Sequence, residues 1–291
     1  MDLQDLVERL RKGEPRALAR ALTLVENDSP HARELVAEVF SDDGSAKIVG
    51  LTGPPGVGKS TLGDALAKLA RTRGRDVAVL AIDPTSPYTG GALLGDRARM
   101  DAGAADSRVF IRSMATRGHV GGLTGAVFEA LILLEAAGKD FILVETVGAG
   151  QDEVEVAAAV DVTVVVLAPG LGDQIQASKA GLMEIADILV VNKADRDGAD
   201  LVAEETEAHT DGKPVLKTIA LDGSGVEPLL EAIEKTTGER RFMEAWLWNS
   251  VQKILRERIP ADDWGDALAR LKAREVTPYE AAAALLENLE S

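Results

Sequence analysis

The chain has 291 residues, of which 46% are hydrophobic, and this is enough for one large α/β domain with appended helices or for two small domains. It has no cysteine, which excludes disulfides and thiolate metal sites. Its formal net charge of −16 disfavours general attraction to nucleic acid or to an anionic membrane. Residues 1–20 show no signal-peptide pattern and no apolar run reaches 18 residues, so we expect a cytoplasmic protein without a membrane span.

Residues 1–44 are predicted to form an N-terminal segment of two or three short amphipathic helices. Apolar residues recur at three- and four-residue spacing in "DLVERLRKG" and "PRALARALTLVEN", and Gly-Glu-Pro and Asp-Ser-Pro triplets break the pattern. We therefore expect these helices to end before the first strand.

Residues 45–238 alternate short apolar runs with helical patterns. Near-continuous Val, Ile and Leu runs are typical of strands covered on both faces, and their alternation with helices predicts a doubly wound, mostly parallel α/β sheet. The predicted strands are 47–51, 76–82, 108–113, 140–145, 161–167, 187–192 and 214–219. The predicted helices between them are 59–73, 123–138, 175–184, 198–209 and 225–237.

Residues 239–291 lack strand patterns and are predicted to form three helices, at 240–258, 261–273 and 277–290. All three tryptophans of the chain, Trp246, Trp248 and Trp264, lie in this tail. They either form a local core or belong to a helical arm whose apolar stripe is buried by another subunit.

A phosphate-binding loop follows the first predicted strand. "GPPGVGKS" fits the pattern G-x-x-x-x-G-K-[ST] between a strand and a helix, which is typical of P-loop NTPases. Backbone N–H groups of such a loop converge on phosphate oxygens, while Lys59 can reach the β- and γ-phosphates and Ser60 can bind Mg²⁺. The predicted nucleotide-binding residues here are Gly53, Pro54, Pro55, Gly56, Val57, Gly58, Lys59, Ser60 and Thr61.

The sequence "NKAD" at the end of the sixth predicted strand indicates which base is bound. Asp195 can accept hydrogen bonds from the N1–H and the exocyclic amine of guanine, whereas adenine would leave this carboxylate unpaired. Lys193 can lie along the base, and Asn192 can connect this strand to the phosphate loop. The loop after the last strand supplies two further candidates, Ala220, whose N–H can donate to guanine O6, and Leu221. GTP and GDP are therefore the predicted ligands.

Acidic residues end two other predicted strands. Asp83 can hold Mg²⁺ or its water, although an aspartate before Pro84 can equally cap a turn. Glu145 and Gly148 have the layout of the D-x-x-G switch of GTPases, with Glu in place of Asp, and the glycine lets the backbone approach a γ-phosphate.

The candidate catalytic residues are Lys59, Glu145 and Gln151. In Ras-like GTPases the glutamine that orients water directly follows the switch glycine, but here that position is Ala149 and Gln151 comes later. We therefore predict slow intrinsic GTP hydrolysis that a partner accelerates.

Several long motifs together resemble the GTPase chaperones associated with methylmalonyl-CoA mutase, a family also described as arginine/ornithine transport ATPases or kinases. The motifs are "ALARALTLVEN", "TGPPGVGKST", "DPTSPYTGGALLGDRARM", "SMATRGHVGGL", "ETVGAGQDE", "PGLGDQIQASKAGLMEIADILVVNKAD" and "RRFMEAWLWNSV". The resemblance implies a central GTPase domain, N-terminal helices and a C-terminal arm that makes a homodimer.

The resemblance also implies a partner and a metal site. Members of that family bind an adenosylcobalamin-dependent acyl-CoA mutase, gate its cofactor loading and protect or reactivate it. Matched to the family motifs, Ser60, Asp83, Asp96 and Glu145 become the expected Mg²⁺ ligands or ligands of its water. Residues 170–179 match a segment that senses the partner.

Three other functions compete with this interpretation. A nickel metallochaperone GTPase has a similar fold but needs Cys or His ligands, and this chain has no cysteine and three dispersed histidines. A kinase linked to amino-acid transport is suggested only by the family's other description. The third alternative is a module that binds the nucleotide without hydrolysing it.

Overall fold

The computed structural model describes residues 2–42, 44–84, 106, 108–116, 124–146, 152–170, 181–237 and 242–289. The chain divides into two compact units, Met1–Ala245 and Trp246–Ser291. None of the helices in these described ranges combines the length and the apolar character that crossing a bilayer requires.

The first unit begins with three helices and continues with strands that alternate with helices. The N-terminal helices are α1 (Leu3–Arg11), α2 (Pro15–Glu26) and α3 (Pro30–Val39). The strands are β1 (Lys47–Thr52), β2 (Val77–Pro84), β3 (Val109–Thr116), β4 (Phe141–Thr146), β5 (Val162–Leu167), β6 (Ile188–Asn192) and β7 (Val215–Thr218). The helices among them are α4 (Lys59–Thr72), α5 (Thr124–Ala136), α6 (Asp152–Ala159), α7 (Ala199–Glu207) and α8 (Val226–Lys235), and residues 181–185 are also helical.

The seven strands form one parallel sheet in the order β3-β2-β4-β1-β5-β6-β7. This confirms the predicted doubly wound α/β fold, and every predicted strand overlaps an observed one. Strands β1 and β4–β6 are buried almost throughout, as their Val- and Ile-rich sequences require. From β1 the chain passes to β2 on one side, and from β4 it later crosses to β5 on the other side of β1. The winding therefore reverses at β1, and ligands of such sheets bind at the carboxyl ends of the strands at this point.

Aspartates tie the amino ends of the strands together in a repeated arrangement. Asp161 donates its N–H to Ile48 O and accepts the Ile48 N–H on Oδ2, both at 2.9 Å. Asp187 makes the same reciprocal pair with Thr163 and Asp140 makes it with Asp76. Each aspartate therefore satisfies a backbone N–H group at or just before the beginning of a neighbouring strand.

Helix α5 is covered on two sides, which explains its composition. Its sequence, TGAVFEALILLEA, is apolar around the whole circumference, and residues 130–135 are all buried. Helices α1, α2 and α3 all pack against it, and α2 also contacts β3. There Arg112 donates to Glu26 at 2.8 Å and to Thr23 at 3.2 Å. The N-terminal helices thus form an additional layer of the first unit.

Helix α6 is not predicted by the sequence patterns. It packs against β1 and β4, with Val156 and Val160, the residue after its end, both buried. A Cβ added at Gly50 in β1 would lie 3.0 Å from Val160 Cγ2, so the glycine makes room for this segment. The predicted helix at 175–184 lies mostly outside the described residues.

The second unit consists of helices with little core of their own. It contains most of α9 (Phe242–Arg258), then α10 (Ala261–Lys272) and α11 (Pro278–Glu287), and α10 packs against α11. Among its described residues, Leu285 is the one buried hydrophobic side chain, while Trp248 and Trp264 are 62% and 53% exposed. A local core therefore does not account for these two tryptophans.

Candidate functional site

The predicted phosphate loop joins β1 to α4 at the carboxyl edge of the sheet, and two of its glycines are sterically required. Gly53 has φ +139°, and a Cβ there would lie 2.2 Å from the carbonyl oxygen of Val166. Gly58 has φ +97°, and its Cβ would lie 2.5 Å from Asn192 Nδ2. The loop therefore passes too close to β5 and β6 for any side chain at these positions.

The loop closes around the ammonium group of Lys59. This residue is the first of α4 and is 7% exposed, and its Nζ donates to Gly53 O at 2.6 Å and to Pro54 O at 3.0 Å. A buried cation at a helix N-terminus strongly attracts an anion.

Ser60 and Glu145 meet at the same edge. The Ser60 hydroxyl donates to Glu145 Oε1 at 2.5 Å, and Glu145 is 4% exposed. Glu145 lies at the end of β4, in register with Leu51 of β1 and Ala81 of β2. A hydroxyl and a buried carboxylate are both oxygen donors of the type that Mg²⁺ prefers, so this pair fits the metal predicted from the sequence.

Other predicted metal and switch residues are only partly described. Asp83 is the second-last residue of β2, next to Ala115 of β3 in the register, but its side chain is outside the described part of the structure. Asp96, Gly148 and Gln151 also lie outside the described residues, as does 171–179. These assignments stay predictions.

Asn192, at the end of β6, links three parts of the site. Its Nδ2 donates to the carbonyl of Val57 in the phosphate loop at 2.9 Å. Its Oδ1 accepts from Thr218 Oγ1 and from the N–H of Ala220, both at 3.1 Å. The side chain is 2% exposed, so one buried amide fixes the phosphate loop relative to the loop after β7.

Lys193 and Asp195 follow Asn192 at the rim of the site. Lys193 has φ +59°, and its Nζ donates to Gly56 O at 2.6 Å. Asp195 is exposed and makes no side-chain hydrogen bond or ion pair with the residues that the structure describes. The carboxylate predicted to bind guanine is therefore available to a ligand.

The loop after β7 differs from the expectation in one respect. The Ala220 N–H, predicted as the donor to guanine O6, already donates to Asn192 Oδ1. The next N–H, of Leu221, has no partner among the described residues, and the Leu221 side chain is 89% exposed. Neither the Ala220 contact nor the part played by Thr218 was readable from the sequence, because both depend on the register of β7 with β6.

Comparison with known proteins identifies the family. Residues 18–257 match the family model described as methylmalonyl Co-A mutase-associated GTPase MeaB. The chain belongs to the MeaB family. The family match and the phosphate-loop fold together make it a GTPase that binds guanine nucleotides.

Individual MeaB relatives agree with this assignment. A protein of Pyrococcus horikoshii that is named as a GTPase is 44% identical, over 99% of this chain and 98% of its own. The methylmalonic aciduria type A homolog of Caenorhabditis elegans, a mitochondrial protein, is 36% identical over 86% of this chain and 72% of its own. The crystal structure of a LAO/AO transport system kinase superposes with a TM-score of 0.63 at 28% identity, covering 99% of this chain and 98% of that one.

Proposed function

We propose that this GTPase is a chaperone of an adenosylcobalamin-dependent acyl-CoA mutase of the methylmalonyl-CoA mutase type. In this role it gates cofactor loading and protects or reactivates the mutase, with the nucleotide state as its signal. The observation that carries the proposal is the family match across residues 18–257, whose description names the mutase. The name of the Caenorhabditis elegans relative also refers to methylmalonic acid.

The site suggests how the nucleotide state is read. Lys59 holds the phosphates, and the carboxylate of Asp195 accepts the N1–H and the amine of guanine. Mg²⁺ would be held by Ser60 and Glu145, with Asp83 and Asp96 as further ligands, and would neutralise charge on the phosphates. Because Glu145 is the second-last residue of β4 and residues 147–151 follow that strand in the sequence, we propose that a change at the phosphates is passed to the segment with Gly148 and Gln151.

Hydrolysis is proposed to be slow until the mutase binds. Gln151 lies two positions beyond the place that the water-orienting glutamine occupies in Ras-like GTPases. Residues 170–179 are the proposed contact with the partner, and Lys179 is a charged group in that stretch. The rate of GTP hydrolysis would then depend on whether the mutase is bound, as we expect for a cytoplasmic chaperone that controls cofactor loading.

The second unit is proposed to form a homodimer. Leu247, Val251 and Ile254 recur at four- and three-residue spacing on α9, and Trp264 and Leu268 recur four apart on α10. All five are exposed by 37% or more. A stripe of this kind is normally covered, and a second copy of the chain can cover it.

The mutase proposal is tested with purified methylmalonyl- and isobutyryl-CoA mutases. GTP hydrolysis is measured with and without each mutase, and binding is followed by co-elution. We expect one mutase to co-elute and to raise the rate at least tenfold. If no cobalamin-dependent mutase binds or changes the rate, the chaperone proposal fails.

A matched variant shows whether the nucleotide controls the partner. Asp195→Asn should lose GTP and gain xanthosine triphosphate, because the amide can donate to the extra carbonyl of xanthine. With this variant, the mutase should respond to xanthosine triphosphate and ignore GTP. A mutase that responds equally to either nucleotide, or to neither, would show that the bound base does not carry the signal.

A kinase linked to amino-acid transport is the second candidate. It is favoured by the structural similarity to the LAO/AO transport system kinase over nearly the whole chain. GTP labelled at the γ-phosphate distinguishes the two functions. A GTPase releases all of the label as inorganic phosphate, whereas a kinase transfers it to an acceptor.

A further inference from the structure

The last residues of β1 and β4 are both threonines, and their side chains are in contact. The Thr146 hydroxyl at the end of β4 donates to Thr52 Oγ1 at the end of β1, with the two oxygens 3.4 Å apart. Thr52 directly precedes Gly53, where the phosphate loop begins, and Thr146 directly follows Glu145. This threonine pair therefore joins the same two strand ends as the hydrogen bond from Ser60 to Glu145.

The two contacts lie on opposite faces of the sheet. Leu51 and Glu145 are register partners in β1 and β4, and each threonine is the next residue of its strand. Because successive side chains of a strand alternate between faces, the threonine pair points away from α4, which carries Ser60. Gly50 shares the face of Thr52, and a Cβ there would lie 3.0 Å from Val160 Cγ2. The pair is thus on the face that α6 covers.

The threonine pair is closed off from solvent. Thr52 is 1% exposed and Thr146 is 0% exposed. Within the described parts of the chain, neither hydroxyl makes a hydrogen bond to any other group. A buried hydroxyl that loses its partner is costly, so each threonine holds the other in place.

A ligand can replace the contact on the α4 face, but it cannot reach the threonine pair. The Ser60 hydroxyl and the Glu145 carboxylate are the proposed oxygen ligands of Mg²⁺, and in that role they would give up their bond to each other. The two threonines are uncharged and lie on the other face of the same strands. They can therefore keep the strand ends aligned while Ser60 and Glu145 turn to the ligand.

The length of the threonine contact leaves room for it to tighten. Most O–H···O hydrogen bonds are about 2.5–3.0 Å long, and the distance here is 3.4 Å. Hydrogen bonds at catalytic sites are often long without a ligand and shorten when the reacting complex forms. A movement of about 0.5 Å at the end of β4 would bring the two oxygens to an ordinary bonding distance.

We propose that Thr52 and Thr146 are positioning residues for GTP hydrolysis. Their contact holds the end of β4, and with it the start of residues 147–151, at a fixed place relative to the phosphate loop. The inference rests on the proposed Mg²⁺ ligands Ser60 and Glu145 only in that their own contact is lost on binding, and separate variants test the two. Loss of the pair should slow hydrolysis and leave nucleotide binding as it is.

Thr146→Val tests the pair, because valine has nearly the shape of threonine without the hydroxyl. We expect kcat for GTP to fall about tenfold, with KM for GTP and the calorimetric dissociation constant of GDP unchanged. Thr146→Ser keeps the hydroxyl and should return kcat to within about twofold of the original. Thr163→Val is the matched control, because Thr163 is 1% exposed in β5 of the same sheet, and its kcat should be unchanged.

A double variant separates positioning from loss of stability. Thr52→Val should lower kcat by the same factor, and Thr52→Val with Thr146→Val should be no slower than either alone, because the two residues make one contact. The double variant leaves no hydroxyl unpaired, so urea denaturation should find it at least as stable as the single variants. If Thr146→Val keeps the original kcat, or if the two single losses multiply in the double variant, the threonine pair does not position the site.

The Mg²⁺ ligands have a readout of their own. Glu145→Gln should raise the Mg²⁺ concentration needed for half-maximal hydrolysis, whereas Thr146→Val should leave that concentration unchanged. If Glu145→Gln does not shift the requirement, the metal assignment is wrong, and a slow Thr146→Val with normal KM still supports the pair. If Thr146→Val itself shifts the requirement, the pair acts on the metal site rather than on alignment of the strand ends, and the proposal is wrong.

Discussion

The two ends of the same parallel sheet are built in opposite ways. At the amino ends, Asp140, Asp161 and Asp187 each make a reciprocal pair of hydrogen bonds with a neighbouring strand. At the carboxyl ends, Lys59 and Lys193 use loop carbonyls as acceptors. The amino edge satisfies backbone N–H groups with side chains of the same chain, whereas the carboxyl edge holds charges that can bind a ligand.

The difference shows where stability and activity are separated in this fold. A carboxylate at the amino edge completes the backbone, and its loss should cost stability alone. The charges of Lys59 and Lys193 at the carboxyl edge are aimed at a ligand, and loss of either should cost binding alone. Substitutions at the two edges test this distinction.

The largest effect is expected for Lys59→Met. Removing the buried ammonium group should lower GTP hydrolysis by about a hundred- to a thousandfold, because the phosphates lose their principal cation. The melting temperature without nucleotide should change little, and the increase that GDP normally causes should disappear. If the variant hydrolyses GTP at the original rate, Lys59 does not act on the phosphates.

Substitution of a glycine in the phosphate loop should lower stability more where an added Cβ has less room. For Gly53→Ala the new Cβ would meet Val166 O at 2.2 Å, whereas Gly56 has no atom within 4 Å of that position. We expect Gly53→Ala to lower the free energy of unfolding by at least about 2 kcal/mol more than Gly56→Ala. Urea denaturation without nucleotide measures both, and equal losses would contradict the close approach to β5.

Asp161→Ala tests the amino edge. It leaves the Ile48 N–H without its acceptor, and we expect a loss of about 1–3 kcal/mol in the free energy of unfolding. Asp161→Asn retains a side-chain oxygen and should lose less. The affinity of the folded variants for GDP should be unchanged, and a weakened affinity would mean that the two edges are coupled.

The smallest effect is expected for Asp200→Asn near the carboxyl edge. Lys217 Nζ donates to Asp200 at 2.8 Å, and this hydrogen bond lowers the pKa of the Asp200 carboxyl. The ion pair therefore stabilises the fold above the unfolded-state pKa of aspartate, and this contribution is lost as the pH falls through the lowered folded-state value. Denaturation of both proteins at pH 7 and pH 4 should show a small difference that narrows at the lower pH and at high salt. A difference that widens on acidification would contradict the assignment.

The sheet was predictable from the sequence because its signal is local. Seven Val- and Ile-rich runs correspond to seven strands, and "GPPGVGKS" is placed between the first of them and a helix, as its spacing indicates. Helix α6 was missed because its eight residues, DEVEVAAA, show no clear amphipathic pattern and directly follow the switch motif.

The contacts within the site were less predictable because they join residues far apart in the chain. The sequence suggested that Asn192 ties its strand to the phosphate loop, and Asn192 Nδ2 does donate to Val57 O. Its two other hydrogen bonds, to Thr218 and Ala220, follow from the pairing of β6 with β7. The aspartates of the amino edge can be found in the sequence, because each lies just before a predicted strand. The backbone groups to which they are hydrogen-bonded cannot be found in this way, because those groups belong to other strands.

Helix α5 limits which fragments of this protein can be expressed or fused to other proteins. The helix is apolar on every side, and α1, α2 and α3 pack against it. A fragment that begins near residue 45 would therefore expose a large apolar surface of α5 to water. Such a fragment should aggregate during expression even though its nucleotide loop is intact. The first 44 residues are therefore poor candidates for exchange with an unrelated fusion partner, and tags or linkers belong before α1.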